Sequence, residues 1–315
     1  MYQKTEQEIM ENWKGDLAKP IVSVCCTTYN HEPYIAEAID SFLMQETNFP
    51  FEVLIRDDCS TDETAEIVKQ YADRYPQVIK PVYEKENTYS RGIRPMPQLY
   101  KIANGKYIAL CEGDDYWTDP LKLKKQVGLL EKYTEVTMSV AYTDYYEQTK
   151  NNLKYVKTLK SNDKELQSFE EIKRFNYHTS SYMIKADILE IIINDFSKKD
   201  SREINEAVIR FMLISYGPFV LLPEVVSVYR ITGKGVWTSL DKSKKWQLKV
   251  DTSKVLIRNL KGKYRRFQGE LLFTLYWGEM RRFIGRGSVY KGVILAFKVL
   301  FYGFLYKIPR RLGLK

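Results

Sequence analysis

Histidine is scarce: the 315 residues hold two, His31 and His178. That count excludes a histidine-rich metal centre and argues against a catalytic triad built on imidazole. Two phosphate-binding signatures are missing as well. No GxxxxGK[ST] loop occurs, and no GxGxxG follows the first apolar run. Any phosphate bound here must be neutralised by a metal or by isolated cations. Cysteine is sparse, and Cys25, Cys26, Cys59 and Cys111 all fall in the first 111 residues, beside apolar runs. Their spacing suits no zinc site, and adjacent cysteines rarely pair, so buried reduced thiols are expected. The opening MYQKTEQEIMENWKGD has no apolar stretch, which predicts a cytosolic body. Repeats and low-complexity segments are missing too. With 44% hydrophobic and 28% charged residues, the chain is neither disordered, collagenous nor coiled coil. At roughly 150 residues per domain its length suggests about two domains.

What the chain has in excess is positive charge, unevenly placed. Lys and Arg number 49 against 40 Asp and Glu, a net +9. Residues 241–315 carry 19 basic side chains against four acidic ones (Asp241, Asp251, Glu270 and Glu279), a net +15. The first 240 residues hold 30 against 36, a net −6. A mildly acidic body therefore ends in a strongly basic segment.

Along the body, short apolar runs alternate with amphipathic ones. Strands are predicted at Pro20–Cys26, Phe51–Arg56, Val78–Tyr83 and Lys106–Cys111, with helices over Glu32–Gln45, after Asp62 and from Pro120 to about Lys132. Asp62 is expected to cap the second helix, and Ser60 with Glu63 has capping-box spacing. Apolar strands separated by helices indicate a parallel sheet covered on both faces. Ligands of such sheets bind beyond the carboxyl ends of the strands. Three of those ends are polar: Thr27-Thr-Tyr-Asn, Asp57-Asp58 and Glu112-Gly-Asp-Asp115. Beyond a strand at Thr137–Tyr142 lies a charged excursion, Glu147–Gln167. Helices near Phe169–Phe175 and Glu203–Ser215 and strands at Ser181–Lys185, Phe219–Leu222 and Val225–Ile231 follow. A glycine-containing loop, Thr232–Ser239, comes next, and from Leu240 the pattern is helical and basic.

Acidic residues at strand ends often only cap the next helix. The Glu112, Asp114 and Asp115 cluster has nothing basic within five positions to offset its repulsion. A divalent cation would do so, and Mg²⁺ or Mn²⁺ on carboxylates commonly holds substrate phosphates. Arg91 and Arg94 could add charge to a phosphate or be solvated loop residues.

Val22-Ser-Val-Cys-Cys-Thr-Thr-Tyr-Asn30, Ile55-Arg-Asp-Asp-Cys-Ser-Thr-Asp62 and Ala103-Asn-Gly-Lys-Tyr-Ile-Ala-Leu-Cys-Glu-Gly-Asp-Asp115 resemble family 2 glycosyltransferases in order and spacing. The Glu-Gly-Asp-Asp-Tyr-Trp variant resembles members that build bacterial surface polysaccharides. The resemblance covers about residues 18–240. It implies an α/β GT-A fold, Rossmann-like, with a mostly parallel central sheet covered by helices. The expected domain is 1–240, with a donor half to about 135 and an acceptor half beyond it, and residues 241–315 form a helical basic extension. The donor implied is a nucleotide-diphosphate sugar, such as a UDP-sugar, and the cofactor Mn²⁺ or Mg²⁺. By position, Thr27 and Tyr29 would line the nucleotide pocket, Asp58 would accept the uracil N–H, and Asp57 would support it. Arg91 would lie near the nucleotide, Asp114 would contact the ribose or sugar, and Asp115 would hold the metal. Glu112 stands where relatives more often have Asp. The family inverts, so a carboxylate must take the acceptor's proton. Alignment back from Gly217 through Tyr229 and Arg230 places Glu206 there, with Glu203 and Asp200 as alternates. Relatives often carry His at Thr232. Arg230 or Lys234 could serve the diphosphate instead, and Trp237 could close over donor and acceptor. His178-Thr-Ser-Ser181 falls where acceptor-side residues tend to sit. No Gln-x-x-Arg-Trp motif of the processive synthases follows, so transfer of one sugar per encounter is expected.

The run VYKGVILAFKVLFYGFLY, residues 289–306, is apolar apart from Lys291 and Lys298. As a helix it spans roughly 27 Å, short of a ~30 Å hydrocarbon core. Flanked by Arg281, Arg282, Arg286, Lys307, Arg310 and Arg311, it reads as an interfacial helix on an anionic membrane, or as a helix packed on the body. The expected location is the inner face of the cell membrane, with a glycan acceptor carried on a lipid and no nucleic-acid partner. Competing readings are a catalytically silent nucleotide-binding adaptor and a sugar nucleotidyltransferase. The latter normally needs a glycine-rich basic loop, which Thr27–His31 is not.

Overall fold

β-branched and aromatic residues form the strands where their runs predict them. In the computed structural model, which describes residues 2–149, 152–156, 165–172, 177–197, 205–233, 240–285 and 289–307, the first four strands are Val22–Thr28 (β1), Phe51–Asp57 (β2), Ile79–Tyr83 (β3) and Tyr107–Leu110 (β4). They pair in parallel in the order β3-β2-β1-β4. All seven residues of β2 and all four of β4 are buried, as expected of strands covered on both faces. Helices Glu6–Met10 (α1), Ile35–Leu43 (α2), Thr64–Arg74 (α3), Pro95–Tyr100 (α4) and Lys122–Lys132 (α5) accompany this half. Ile35, Ala38, Ile39 and Phe42 of α2 and Val68 and Tyr71 of α3 bury their apolar stripes in the core with Val24, Val53 and Ala109.

The sheet continues through Tyr116–Trp117 (β5), Met138–Thr149 (β6), Asn152–Val156 (β7), Leu166–Gln167 (β8), Met183–Lys185 (β9) and Phe219–Ile231 (β10). Its full order is β3-β2-β1-β4-β9-β6-β10-β5, with β7 paired to β6 and β8 to β10. Short β9 runs antiparallel between β4 and β6, whereas β6 and β10 are parallel. Helices Phe169–Ile172 (α6) and Ala186–Ser197 (α7) flank β9 in sequence.

Several local expectations change. The two strands expected around Pro223 are one, β10, with register shifts at Leu222/Val225 and Val225/Ser227. Proline cannot donate to the ladder, so the strand bulges there instead of ending. The Ser60–Glu63 capping box does not form, because Ser60 Oγ donates to the Asp57 carboxylate and α3 starts at Thr64. Asp62 is not the cap either: Glu63 holds that position, and Asp62, one residue further out, accepts the Thr64 N–H (3.1 Å) and ties the loop to the Glu32 N–H (3.2 Å). Helices α4 and α7 and strand β7 lie where the pattern suggested none. Cys25, Cys26 and Cys111 are buried thiols, and Cys59 is partly exposed.

By its packing the chain divides into two compact units. The first holds residues 1–204 and 216–235 and the second 205–215 and 236–315. The expected boundary at 240 leaves residues 205–215 in the body; packing groups them with the second unit. That unit comprises Glu206–Tyr216 (α8), Lys242–Asn259 (α9), Gly262–Gly285 (α10) and Val289–Tyr302 (α11), the last ending in a π turn, Gly303–Lys307. Asp241 caps α9 through the Lys244 N–H (2.8 Å). Val250, Leu272, Tyr276, Met280, Leu295 and Val299 form the apolar cluster of this unit.

Candidate active site

Three strand ends meet because the loops leaving them hydrogen-bond to β1. The Thr28 carbonyl accepts the Asp58 N–H (3.0 Å), and the Thr27 carbonyl accepts the Gly113 N–H (2.9 Å). Tyr29 follows, 42% exposed, and Asn30 adopts a left-handed conformation (φ 54°). An asparagine tolerates that conformation, and its Oδ1 is fixed by the Thr61 N–H (2.8 Å).

The two aspartates after β2 are already engaged in building loops. Asp57 accepts the Ser60 N–H (3.0 Å) and the Ser60 hydroxyl, closing a turn in which Cys59 has φ 65°. Asp58 is buried. One of its oxygens accepts the Thr88 N–H (3.0 Å) and the Thr88 hydroxyl, and the other the Tyr89 N–H (2.9 Å). Arg56 stands 4.0 Å from Asp58 and pairs with Glu84 at 3.1 Å. Asp58 thus shapes the loop that carries Arg91, and a carboxylate with about four lone-pair sites has room for one more donor. Arg91 is exposed and pairs with Glu86, while Arg94 lies 5.3 Å over the Tyr89 ring.

The Glu112–Asp115 loop approaches β1 closely. A Cβ on Gly113 would lie 2.8 Å from Thr28 Oγ1 and 3.0 Å from His31 Nδ1, so only glycine fits without displacement. Glu112 accepts the Thr179 hydroxyl at 3.1 Å. Asp114 Oδ2 lies 3.9 Å from His31 Nε2. Asp115 is the most buried of the three, at 1% exposure. Its Oδ1 accepts the Arg230 N–H (3.0 Å) and its Oδ2 stands 3.6 Å from His178 Nδ1. That second contact is not an ion pair. His178 Nδ1 accepts the Ser180 N–H (3.3 Å), and burial pushes the imidazole down to about 4, so it is neutral. Burial, then repulsion from Asp114 and Glu112, raises the Asp115 carboxyl well above the usual range, with Arg230 opposing.

Arg230, which with Lys234 could serve a diphosphate, has its side chain clamped on the loop. Nη1 donates to the Asp114 carbonyl (3.0 Å), Nη2 pairs with Glu37, and the guanidinium lies 4.5 Å over Tyr116 and 5.2 Å over Tyr34. Sequence reasoning also missed an aromatic wall. His178 stacks on Tyr229 (4.2 Å between centroids), and Tyr145 meets both edge-on. Burial first, then Asp115, raises the Tyr229 phenol to about 12. Tyr145 lies on β6 and Tyr229 on β10, while His178 sits in the turn before β9; no local motif announces that the three rings meet.

Among the other expected residues, Asp200, Glu203, Lys234 and Trp237 lie outside the described residues. Glu206 opens α8 in the second unit with its side chain exposed. Thr232 is partly exposed just beyond β10.

The residues at Glu112–Asp115 fit a cation in charge and in chemistry. A buried carboxylate has its proton affinity raised by two like neighbours, and the adjacent Thr28 Oγ1 and His31 Nδ1 are buried without a hydrogen-bond partner. Among the described residues no three His, Cys, Asp or Glu stand close enough to form a closed metal site. One or two protein carboxylates completed by substrate phosphates is the usual Mg²⁺ arrangement.

An α/β sheet with this order and carboxylates at the ends of its parallel strands is a GT-A fold. Staphylococcus aureus TarS, solved in complex with UDP-GlcNAc, superposes on 81% of this chain and 71% of its own, with TM-score 0.60 and 18% identity. The profile of glycosyl transferase family 2 matches residues 23–192, over half of the chain. The chain belongs to glycosyl transferase family 2. A Mycobacterium tuberculosis relative is 34% identical over 230 residues, 72% of this chain; the match spans 64% of that relative's length. Escherichia coli WfaP, a UDP-Glc:α-D-GlcNAc-diphosphoundecaprenol β-1,3-glucosyltransferase, is 34% identical over 127 residues, 40% of this chain and 46% of its own.

Proposed function

We propose that the protein is an inverting glycosyltransferase that moves one sugar from a nucleotide-diphosphate sugar, a UDP-sugar, to a glycan acceptor carried on a lipid, in surface polysaccharide synthesis. The observation that carries this reading is the cluster of Glu112, Asp114 and Asp115 at the end of β4, beside Thr27, Tyr29 and Asp58. Family membership and the lipid diphosphate acceptor in the name of WfaP support it. A lipid-linked acceptor would hold the enzyme at the inner face of the cell membrane.

In this reading Tyr29 packs on the base, and Asp58 accepts its N–H while holding the 88–91 turn. Asp115, with Asp114 or Glu112 beside it, would hold Mn²⁺ or Mg²⁺, and substrate phosphates would complete the coordination. Such an ion, held by these carboxylates, would supply positive charge to the leaving diphosphate. Arg230 keeps the Asp114–Asp115 backbone in place from β10. The wall of His178, Tyr229 and Tyr145 offers apolar faces of the kind on which a sugar ring packs. Glu206, exposed at the first turn of α8, takes the proton from the acceptor hydroxyl as it attacks the anomeric carbon, and inversion follows from that single displacement.

Donor hydrolysis and transfer, measured with and without Mn²⁺ over a panel of UDP-sugars, test the reading. Asp115→Ala should remove metal-dependent turnover by 100-fold or more, on the order of the loss of one electrostatic stabiliser. Equal metal-dependent rates in both proteins would remove Asp115 from the site. Glu206→Gln should abolish transfer and leave UDP binding within about twofold. The same outcome from Glu203→Gln instead would move the base by one turn.

A further inference from the structure

Helix α11 is apolar on two opposite sides, and among the described residues only one of them is covered. Gly292, Leu295 and Val299 face inward, joined by Gly303 of the π turn; Leu295 and Val299 pack with Leu272, Tyr276 and Met280 of α10. The other side presents Val293, Ile294, Phe297, Leu300, Phe301, Phe304 and Leu305, between 44% and 71% exposed. At about 100° per residue these seven fall within one arc of roughly 140°, centred opposite the packed side. Soluble monomers rarely expose so continuous an apolar surface without a use for it.

We propose that this arc is a docking surface for an anionic lipid bilayer, with α11 lying in the interface rather than crossing it. Among the described residues no helix is long and apolar enough to span a membrane. The charge around the arc fits lipid phosphates. Residues 241–315 carry 19 basic side chains against four acidic ones, and three of those four are engaged locally. Asp241 caps α9, Asp251 lies 3.3 Å from Lys254, and Glu279 lies 2.9 Å from Arg282. Lys298 on α11 and Arg281 on α10 are exposed. A second copy of the chain would bring the same +15 against this segment, which argues against a self-interface. A nucleic acid would not take a face of three phenylalanines and two leucines. An apolar arc of Phe and Leu beside Lys and Arg is the pattern of helices that lie in the headgroup boundary. Each cation near the surface adds attraction that salt screens.

The inference stands on the second unit alone and does not need the catalytic reading. Its test is sedimentation of the full chain with vesicles of phosphatidylcholine, and of phosphatidylcholine with 30% phosphatidylglycerol. The wild type should bind the anionic vesicles at least tenfold more tightly than the neutral ones, and added salt should weaken binding. Phe297→Asp with Phe304→Asp should lower the anionic partition at least tenfold, with the circular-dichroism melt unchanged, because both side chains are already in solvent. Hydrolysis of a soluble donor should also be unchanged. Failure of the wild type to sediment, or equal partition of wild type and variant, would overturn the proposal. So would a wild-type dimer in analytical ultracentrifugation that the double variant turns into a monomer.

Discussion

Arg230 reaches four partners from one strand position: the Asp114 carbonyl, Glu37 and the rings of Tyr116 and Tyr34. Its planar fork spans the Asp114 carbonyl and Glu37 while its face rests on Tyr116. A lysine can neither span both acceptors nor stack in the same way. Arg230→Lys should therefore cost about 1–3 kcal/mol in urea unfolding, the usual loss for a charged hydrogen bond in a half-buried setting. Glu37→Gln, at a side chain 55% exposed, should cost under about 1 kcal/mol. The Arg230 backbone bond to Asp115 survives both changes, so the difference isolates the side chain. Lys122 is a different case, since its ammonium is wholly buried. It lies 4.1 Å over Trp117 and donates to Gln126 Oε1 (2.7 Å), and burial pushes it down to about 7, with Cys111 and Asp119 opposing. The unfolded chain, with lysine near 10.4, binds more protons than the native state between about pH 7 and 10. Stability attributable to this group therefore rises with pH across that window. Urea unfolding of wild type and Lys122→Met at pH 7 and pH 9 should show the wild type gaining about 2 kcal/mol relative to the variant. Parallel curves would mean that the lysine titrates normally.

At the scale of elements, two glycines give opposite forecasts from the same substitution. Gly113 sits against the end of β1, where an added Cβ would collide with Thr28. Gly113→Ala should cost about 1–3 kcal/mol by overpacking and weaken donor binding in calorimetry by shifting Glu112 and Asp114. Gly128 lies inside α5, and nothing stands within 4 Å of the added atom. Gly128→Ala should add about 0.5–1 kcal/mol through helix propensity, read as a higher melting temperature. The contrast shows which parts of the fold the sequence makes legible. Strands β1, β2 and β4 are continuous apolar runs whose polar ends stand out, so the Thr27, Asp58 and Asp115 neighbourhoods could be found by reading along the chain. Helix α4 was hidden because Pro95 and Pro97 look like loop punctuation, although proline suits the first turn of a helix. Strand β10 runs through Pro223 because a bulge absorbs the missing donor. The roles of Arg230, His178 and Tyr229 depend on which strands become neighbours across the antiparallel insertion of β9, and no local pattern encodes that.

The net +9 of the whole molecule is the sum of an acidic body and a basic end, yet the fold does not separate at the change of charge. Helix α8 belongs in sequence to the body and in packing to the second unit. There Asn205 donates to Thr252 Oγ1 (3.1 Å) and Phe211 lies 5.8 Å from Phe267. Val208, Ile209, Phe211, Met212, Leu213 and Ile214 of α8 are buried. Ending the chain at residue 240 would remove α9, α10 and α11 and leave part of that face in water. At about 25 cal/mol per Å² of apolar surface, one uncovered phenylalanine or leucine already costs roughly 1.5–3 kcal/mol, a large fraction of an ordinary domain's stability. The truncated protein should therefore elute as aggregate in size-exclusion chromatography, with weakened near-ultraviolet dichroism, and should lose transfer along with any membrane association. A deletion from Val289 onward is the cleaner cut, because it removes the exposed arc and leaves α8, α9 and α10 in place. It uncovers Leu272, Tyr276 and Met280, so a variant with those three made polar should stay monomeric, hydrolyse donor as the full chain does, and fail to sediment with anionic vesicles. A monomeric 240-residue protein that still transfers sugar would show that α8 needs nothing from the basic end. The charge boundary would then also be the folding boundary.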